Sequence, residues 1–157
     1  MSIKVINICK QYGNFKALND ISFEIKKNTI TSIVGHNGSG KTTLVKCLST
    51  LLIYESGKID FFGEEYSYKN FKHIRKRISL LLDASRNLYF NLTLLQNIKY
   101  FLGINKTSFK QKEDIINHFL ERFSLIEHKN KLVSSLSKGM QQKTALIIAL
   151  TQVLVPA

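Results

Sequence analysis

The stretch Gly35-His-Asn-Gly-Ser-Gly-Lys-Thr42 decides the fold, because it matches the phosphate-loop pattern G-x-x-x-x-G-K-S/T at every fixed position. Residues 29–34 before it are rich in β-branched side chains, and residues 41–53 after it carry apolar side chains at helical spacing. A glycine-rich loop between a strand and a helix presents inward-pointing N–H groups and a positive helix end to phosphate. The sequence therefore predicts a nucleotide-binding core with a strand at 29–34 and a helix at 41–53.

The residues of this loop have separate predicted roles toward a nucleotide. Lys41 is expected to reach the β- and γ-phosphates, the Thr42 hydroxyl to take one place on Mg²⁺, and Thr43 to help hold the α-phosphate region. Successive N–H groups complete the predicted phosphate cradle, at Gly35, Asn37, Gly38, Ser39 and Gly40. His36 is interpreted as a residue that fills the loop.

Further β structure is predicted on both sides of the loop. Residues 3–9 and 21–25 alternate apolar and polar side chains, which is typical of half-buried antiparallel strands, and residues 10–16 between them are predicted to form a loop. Residues 58–62 are predicted to form a strand. The apolar run at 78–82 favours a strand buried on both faces, so a parallel core sheet is expected.

The pattern becomes helical after residue 93. Two capping boxes are predicted to start helices, Thr93 with Gln96 and Ser108 with Gln111. Ser137 is predicted to cap a last helix that runs to about residue 152. Within that helix, residues 145–150 are apolar on every side and are therefore expected to be buried on every side.

Length and composition favour a single folded domain over a membrane-spanning or secreted protein. A length of 157 residues suits one ordinary domain, and no stretch reaches the ~20 apolar residues that a membrane-spanning helix needs. The opening residues lack a secretory signal, and two cysteines, Cys9 and Cys47, favour a reducing, cytosolic setting. The net charge of +12 leaves nucleic acid, an anionic membrane surface and phosphorylated ligands open as partners.

Two separate stretches carry a family resemblance. Residues 10–25 together with 35–44 resemble the opening of an ATP-binding cassette (ABC) transporter nucleotide-binding domain, and Leu136-Ser-Lys-Gly-Met-Gln-Gln-Lys143 resembles the signature LSGGQ of that family. The resemblance implies an α/β fold: a P-loop NTPase core with a mostly parallel sheet, an N-terminal antiparallel β part and a helical signature subdomain. It divides the chain into 1–83, 84–143 and the start of a return to the core at 144–157.

The resemblance also implies ligands and partners. Tyr12 stands where the family stacks an aromatic ring on the adenine of ATP, and Ser137 with Gly139 would approach the γ-phosphate held by a second, head-to-tail ATP-binding domain. Asp83 stands where the family usually has a glutamine that senses Mg²⁺, so Thr42 and Asp83 are the metal candidates. The other implied partner is a membrane-spanning permease, which places the chain on the inner, cytoplasmic face of the cell membrane. Residues 85–93 resemble the loop that contacts this partner and favour export.

Besides Asp83, the sequence departs from the family in two further places. The signature reads LSKGM, so Lys138 replaces a glycine and Met140 replaces the glutamine. After the signature the family continues through a strand that ends in Asp-Glu, followed later by a switch histidine, whereas no Asp or Glu follows Glu127 here. Residues 153–157 end the sequence first. We therefore expect an incomplete domain in which none of the catalytic residues of the family is present.

Two other functions remain open at this stage. A basic run motivates a nucleic-acid-binding ATPase acting in DNA repair or translation, and it consists of Lys69, Lys72, Arg75, Lys76 and Arg77. A solvated face explains this run better, because it carries no nucleic-acid motif and Phe71 is its only aromatic residue, so nucleic acid is not an expected partner. The other alternative is an ATP-binding partner in a heterodimer that does not hydrolyse ATP.

We expect this chain on its own to show negligible ATP hydrolysis. Phosphoryl transfer depends on a positioned metal and a positioned water, and the residues that place them in the family are absent from the sequence. The measurement is steady-state phosphate release by the purified chain. Turnover that the substitution Lys41→Ala abolishes contradicts the prediction.

Overall fold

A four-stranded antiparallel sheet organises the first part of the chain in the computed structural model, which describes residues 2–67, 69–82 and 88–153. The strands are β1 (Ser2–Tyr12), β2 (Phe15–Lys26), β3 (Ser56–Phe61) and β4 (Glu64–Glu65), in the spatial order β2-β1-β3-β4. Alternate apolar side chains of β1 and β3 are fully buried, namely Val5, Ile8, Ile59 and Phe61. The predicted antiparallel β part is therefore present.

The predicted loop at 10–16 is wrong, because both strands continue through it. Tyr12 pairs with Phe15, so the hairpin turns in the two residues Gly13 and Asn14. Gly13 has a φ of +55°, a left-handed conformation that glycine adopts at little cost. Gly-Asn is a recognised two-residue hairpin signal, and it outweighs the polar character of the segment. The tight turn brings two aromatic side chains side by side at the hairpin tip.

The helix after the glycine loop is shorter than predicted. It is α1 (Lys41–Leu48), and Thr50 leaves helical geometry with a φ of +59°. Arg75, the last residue of α2 (Phe71–Arg75), donates its Nε to Thr50 Oγ1 at 2.8 Å and its Nη2 to Thr50 O at 2.7 Å. The helix has already ended there, because the left-handed Thr50 turns the chain back so that Leu51 N donates to Lys46 O at 2.9 Å, and Arg75 binds the residue beyond that end.

The two predicted strands of the parallel core are not formed. Residues 29–34 and 78–82 are without strand hydrogen bonds, and Ile30 and Val34 are 100% and 91% exposed. Leu81 and Leu82 are exposed as well, although burial on both faces was expected. An extended segment becomes a core strand only when neighbouring strands satisfy its N–H and C=O groups. Among the described residues, no strand lies beside either segment.

Helices form a second compact unit, over residues 79–157, with its own apolar core. It contains α3 (Leu94–Ile104), α4 (Phe109–Arg122), α5 (Lys138–Val153) and two 3-10 turns, Ile126–His128 and Val133–Ser135. The fully buried core residues include Leu94, Ile98, Leu102, Ile116, Leu120 and Ile147. The first unit spans residues 1–78, and the predicted division of the chain at 83 and 143 stays a prediction.

The predicted helix starts are correct, but one predicted cap is not. Thr93 accepts from Gln96 N at 3.1 Å and Gln96 Oε1 accepts from Thr93 N at 2.8 Å, which confirms the first capping box. Ser108 precedes α4 without a side-chain capping bond, so the second box is wrong. In α5, Ile147 and Ile148 are buried whereas Leu146 is 37% exposed, so burial on every side is also wrong.

The packing of α1 against the sheet predicts unequal reactivity of the two cysteines. Cys47 is fully buried on α1, and burial raises the pKa of its thiol from 9.0 to about 11, so the reactive thiolate is suppressed below that pH. Iodoacetamide at pH 8 is expected to alkylate Cys9, which is half-buried, and to leave Cys47 unmodified in the folded chain. Peptide mass spectrometry reads the result, and the unfolded chain is the control in which both react. Equal native labelling of both cysteines contradicts this packing.

Candidate functional site

The hairpin tip and the glycine loop share one cleft of about 350 Å³. The hairpin contributes Tyr12, Phe15 and Ala17, and the loop with the first turn of α1 contributes residues 37–43. The structure thus brings together eight of the nine residues predicted to hold a nucleotide: Tyr12, Asn37, Gly38, Ser39, Gly40, Lys41, Thr42 and Thr43. Gly35 lies outside this lining but contacts the lysine of the loop, as described below.

Gly40 fixes the start of α1 against the hairpin. It is the N-cap of the helix with a φ of +85°, and a Cβ placed there would collide with Ala17 O and come within 3.1 Å of Leu18 Cδ2. Glycine is required on both counts, since the backbone is left-handed and the neighbour is main chain. This close approach sets the distance between the helix N-terminus and strand β2.

Lys41 folds back over the loop that precedes it. Its Nζ donates to Gly35 O at 2.8 Å and to His36 O at 2.7 Å, and it lies 3.5 Å from Ser39 Oγ. The ammonium group therefore holds the loop in a curl through its carbonyls. His36 itself makes a local contact of 2.9 Å from Nδ1 to Asn37 O, consistent with a loop filler.

The cleft is electropositive. Lys41 is the one charged residue among those that line it, and the first turn of α1 contains no acidic residue. The first N–H groups of a helix have no carbonyl partner within the helix, so they add partial positive charge at the same place. An arrangement of a free helix end, glycine backbone and a lysine suits a group rich in phosphate oxygens.

The aromatic side of the cleft contains one residue that sequence reasoning missed. Tyr12 and Phe15 are 48% and 60% exposed, and they are cross-strand partners at the end of the hairpin. Exposed aromatic rings of this kind offer flat faces on which a base can stack. The Gly13-Asn14 turn was the available signal for Phe15, because a two-residue turn makes residues 12 and 15 neighbours.

The metal candidates are only partly described. Thr42 is exposed in the first turn of α1 and lines the cleft, so its hydroxyl is available to a cation. Asp83 lies outside the described residues, as do residues 85–87 of the predicted partner loop. In the described part of the chain, no group of three His, Cys, Asp or Glu side chains could hold a metal ion. Thr42 therefore fits Mg²⁺ that is shared with phosphate oxygens, which is the usual protein mode for this ion.

The signature residues begin α5 in the second unit. Ser137 accepts from Met140 N at 3.3 Å, so the predicted cap is present, and Ser137 and Gly139 are exposed. Lys138, which replaces the first glycine of the signature, is the first residue of the helix and has no left-handed φ. Lysine therefore adopts this backbone without strain, and the lost glycine freedom costs nothing here.

The basic run is partly used by contacts within the first unit. Arg75 binds Thr50, and Arg77 lies over the ring of Phe62 at 4.5 Å and 3.8 Å from Glu64. Arginines held in this way have fewer donors left for phosphates of a nucleic acid. The contacts favour a structural role for both arginines.

No helix among residues 2–67, 69–82 and 88–153 has the length and apolar character needed to cross a membrane.

The fold and the cleft define a P-loop nucleotide-binding protein, and comparison with known proteins gives its family. The family model described as ABC transporter matches residues 18–153, so the chain belongs to the ABC transporter ATP-binding family. It is 32% identical to the general L-amino acid transport ATP-binding protein of Rhizobium johnstonii, over 93% of this chain and 58% of that protein. It is 36% identical to the methionine import ATP-binding protein of Chlamydia felis, over 94% of this chain and 45% of that protein.

A solved structure gives the same result for the fold. The cbiO1 protein of Clostridium perfringens, described as part of the ABC transporter complex cbiONQ, superposes with a TM-score of 0.83 at 26% identity. The alignment covers 96% of this chain and 61% of that one. This chain thus spans about half to three-fifths of the length of the relatives it matches. These relatives belong to a family of ATPases, and each of them extends beyond the part that it shares with this chain.

The close contact at Gly40 predicts a large effect of one added methyl group. Gly40→Ala should lower the free energy of unfolding by about 2 kcal/mol or more, because the new Cβ meets the Ala17 carbonyl in a left-handed backbone. Gly103→Ala is the matched control: Gly103 lies in α3 with open space around it, so alanine should be neutral or stabilising. Denaturant unfolding of both variants gives the comparison. Equal stabilities would mean that the Gly40 contact does not hold α1.

Proposed function

We propose that this chain binds Mg·ATP in the cleft between the hairpin tip and the glycine loop, as the ATP-binding part of an ABC transporter. The observation that carries the proposal is that one cleft is lined by an exposed aromatic pair, Tyr12 and Phe15, and by a helix N-terminus with a single lysine. The two ends of the cleft differ in chemistry in the way that the two ends of ATP do. An apolar, flat surface suits the base, and an electropositive backbone cradle suits the phosphates.

Most residues that line the cleft have a separate role toward Mg·ATP. Tyr12 stacks on adenine, and the N–H groups of residues 37–43 receive the phosphate oxygens. Lys41 exchanges the carbonyls of Gly35 and His36 for the β- and γ-phosphates, which are stronger acceptors because they are charged. Thr42 supplies a hydroxyl to Mg²⁺, and the metal neutralises charge on the phosphates when it is bound. Asp83 stays a proposed second metal residue.

The exposed signature is proposed to act on a second ATP-binding domain. Ser137 caps α5 and Gly139 lies in its first turn, both are exposed, and this first turn contains no acidic residue. A helix N-terminus without carboxylates can approach a γ-phosphate bound elsewhere. ATP would then hold two domains head to tail on the cytoplasmic face of the membrane, and a membrane-spanning permease would receive their movement.

The relatives support a role in transport, but they do not support export over import. One of them is named for methionine import, and the Clostridium structure is described as part of an ABC transporter complex. The expectation of export from residues 85–93 therefore has no support and is left out of the proposal. Amino acids, named for two relatives, are one class of cargo to test.

Removing the lysine tests whether its ammonium group binds the phosphates. Lys41→Ala is expected to weaken Mg·ATP binding about tenfold to a hundredfold, because charge-assisted bonds contribute about 1.5–3 kcal/mol each. Lys46→Ala is the matched control, since Lys46 lies on the same helix in its last turn, away from the cleft. Calorimetric titration of both variants gives the affinities. Unchanged ATP affinity in Lys41→Ala, or equal losses in the two variants, would contradict the proposed site.

A further inference from the structure

Strand β1 loses one of its two neighbours just before Tyr12. Its pairing with β3 ends at Cys9 and Ser56, so residues 10–12 lie beyond the last partner on that side. Pairing with β2 continues to the hairpin tip on the other side. The end of the strand that carries the aromatic platform therefore needs another source of hydrogen bonds on its β3 side.

Glu55 forms hydrogen bonds with three successive residues of β1, two through their backbone and one through its side chain. Its N–H donates to Cys9 O at 3.0 Å, and its carboxylate accepts from Lys10 Nζ and from Gln11 N, both at 2.6 Å. The backbone bond extends the strand pairing by one step. The carboxylate then binds one further backbone group, Gln11 N, and the side chain of Lys10, so the chain is held up to the residue before Tyr12.

Lys10 carries this contact on to the ring of Tyr12. The Lys10 side chain is only 15% exposed, and its Nζ lies 5.5 Å from the centre of the Tyr12 ring. A cation at this distance is attracted to the face of an aromatic ring. The ring also lines the cleft, so it is held by Lys10 while remaining accessible from the cleft.

Both partners are charged over a wide pH range. The hydrogen bond from Lys10 lowers the pKa of Glu55, and the same bond raises the pKa of Lys10. Neither group therefore changes its charge near neutral pH, and the contact between them stays intact there.

We propose that Glu55 and Lys10 are positioning residues that hold the Tyr12 ring where it stacks on the base of the nucleotide. This inference rests on the proposed function, because it assumes that the cleft binds ATP. It assigns to Glu55 and Lys10 a share of the affinity for the base and none of the affinity for the phosphates. A nucleotide and a bare phosphate chain must therefore respond differently to the loss of these side chains.

The experiment titrates the full chain with Mg·ATP and with Mg·tripolyphosphate, which has the phosphates but no base. Glu55→Gln and Lys10→Met are each expected to weaken ATP about threefold to tenfold and to leave tripolyphosphate within about twofold, as loss of a cation–ring contact and a charged bond would. Glu65→Gln is the matched control, because Glu65 pairs with Lys58 at 3.2 Å on the same sheet and both side chains are exposed. This control should change neither affinity.

A third variant shows whether the effect passes through the ring. In a Tyr12→Ala background, Glu55→Gln should cause no further loss of ATP affinity, because the group that it positions is gone. If Glu55→Gln does not fold, judged by its melting curve, Lys10→Met in both backgrounds provides the same test.

The titrations distinguish a failure of the positioning role from a failure of the proposed ATP site. A wild-type chain that binds ATP more tightly than tripolyphosphate, with Glu55→Gln and Lys10→Met unchanged, overturns the positioning role alone. The positioning role is also overturned if these variants lose the same affinity for tripolyphosphate as for ATP. It is overturned as well if they weaken ATP binding in the Tyr12→Ala background as much as in the wild type, since either result indicates a general structural role. A wild-type chain that binds neither ligand overturns the proposed function and the inference with it.

Discussion

The contact between Gly40 and the Ala17 carbonyl joins the two halves of the cleft. It places the N-terminus of α1 directly on strand β2, two residues from Phe15 and next to the hairpin that carries Tyr12. Since the neighbour is main chain, only glycine can occupy position 40. Aromatic side chains and a phosphate cradle come from sequence positions about 25 residues apart, and this one approach makes them faces of the same cavity.

Charge distinguishes the phosphate end of this cavity from its aromatic end. Lys41 is held by two carbonyls of its own loop, so its ammonium is already at the mouth of the cradle before any ligand arrives. Moving it to a phosphate replaces neutral acceptors by charged ones, which favours the ligand without rebuilding the loop. On the other side, Glu55 and Lys10 form a compact pair that stiffens the aromatic end. Neutral aromatic surface and positive backbone are thus kept apart within one site.

Local sequence signals predicted much of this arrangement. The glycine loop, the start of α1, the Thr93 capping box and the Ser137 cap all depend on neighbours within a few residues, so they could be read directly. The parallel strands predicted at 29–34 and 78–82 are not formed, because a strand forms only beside partners and none is present among the described residues. The end of α1 was missed because it depends on a left-handed backbone at Thr50, a conformation that a β-branched residue rarely adopts. Phe15 and Glu55 became visible only once the hairpin turn and the strand register were known.

Photolabelling with an azido-adenine derivative of ATP tests the central claim most directly, because it reports where the base lies. If adenine stacks on Tyr12, the label should appear in the tryptic peptide of residues 11–16, excess ATP should prevent labelling, and tripolyphosphate should compete through the shared phosphate cradle. Labelling confined to other peptides, with ATP still competing, would show that the nucleotide binds elsewhere and would contradict the site described for this chain.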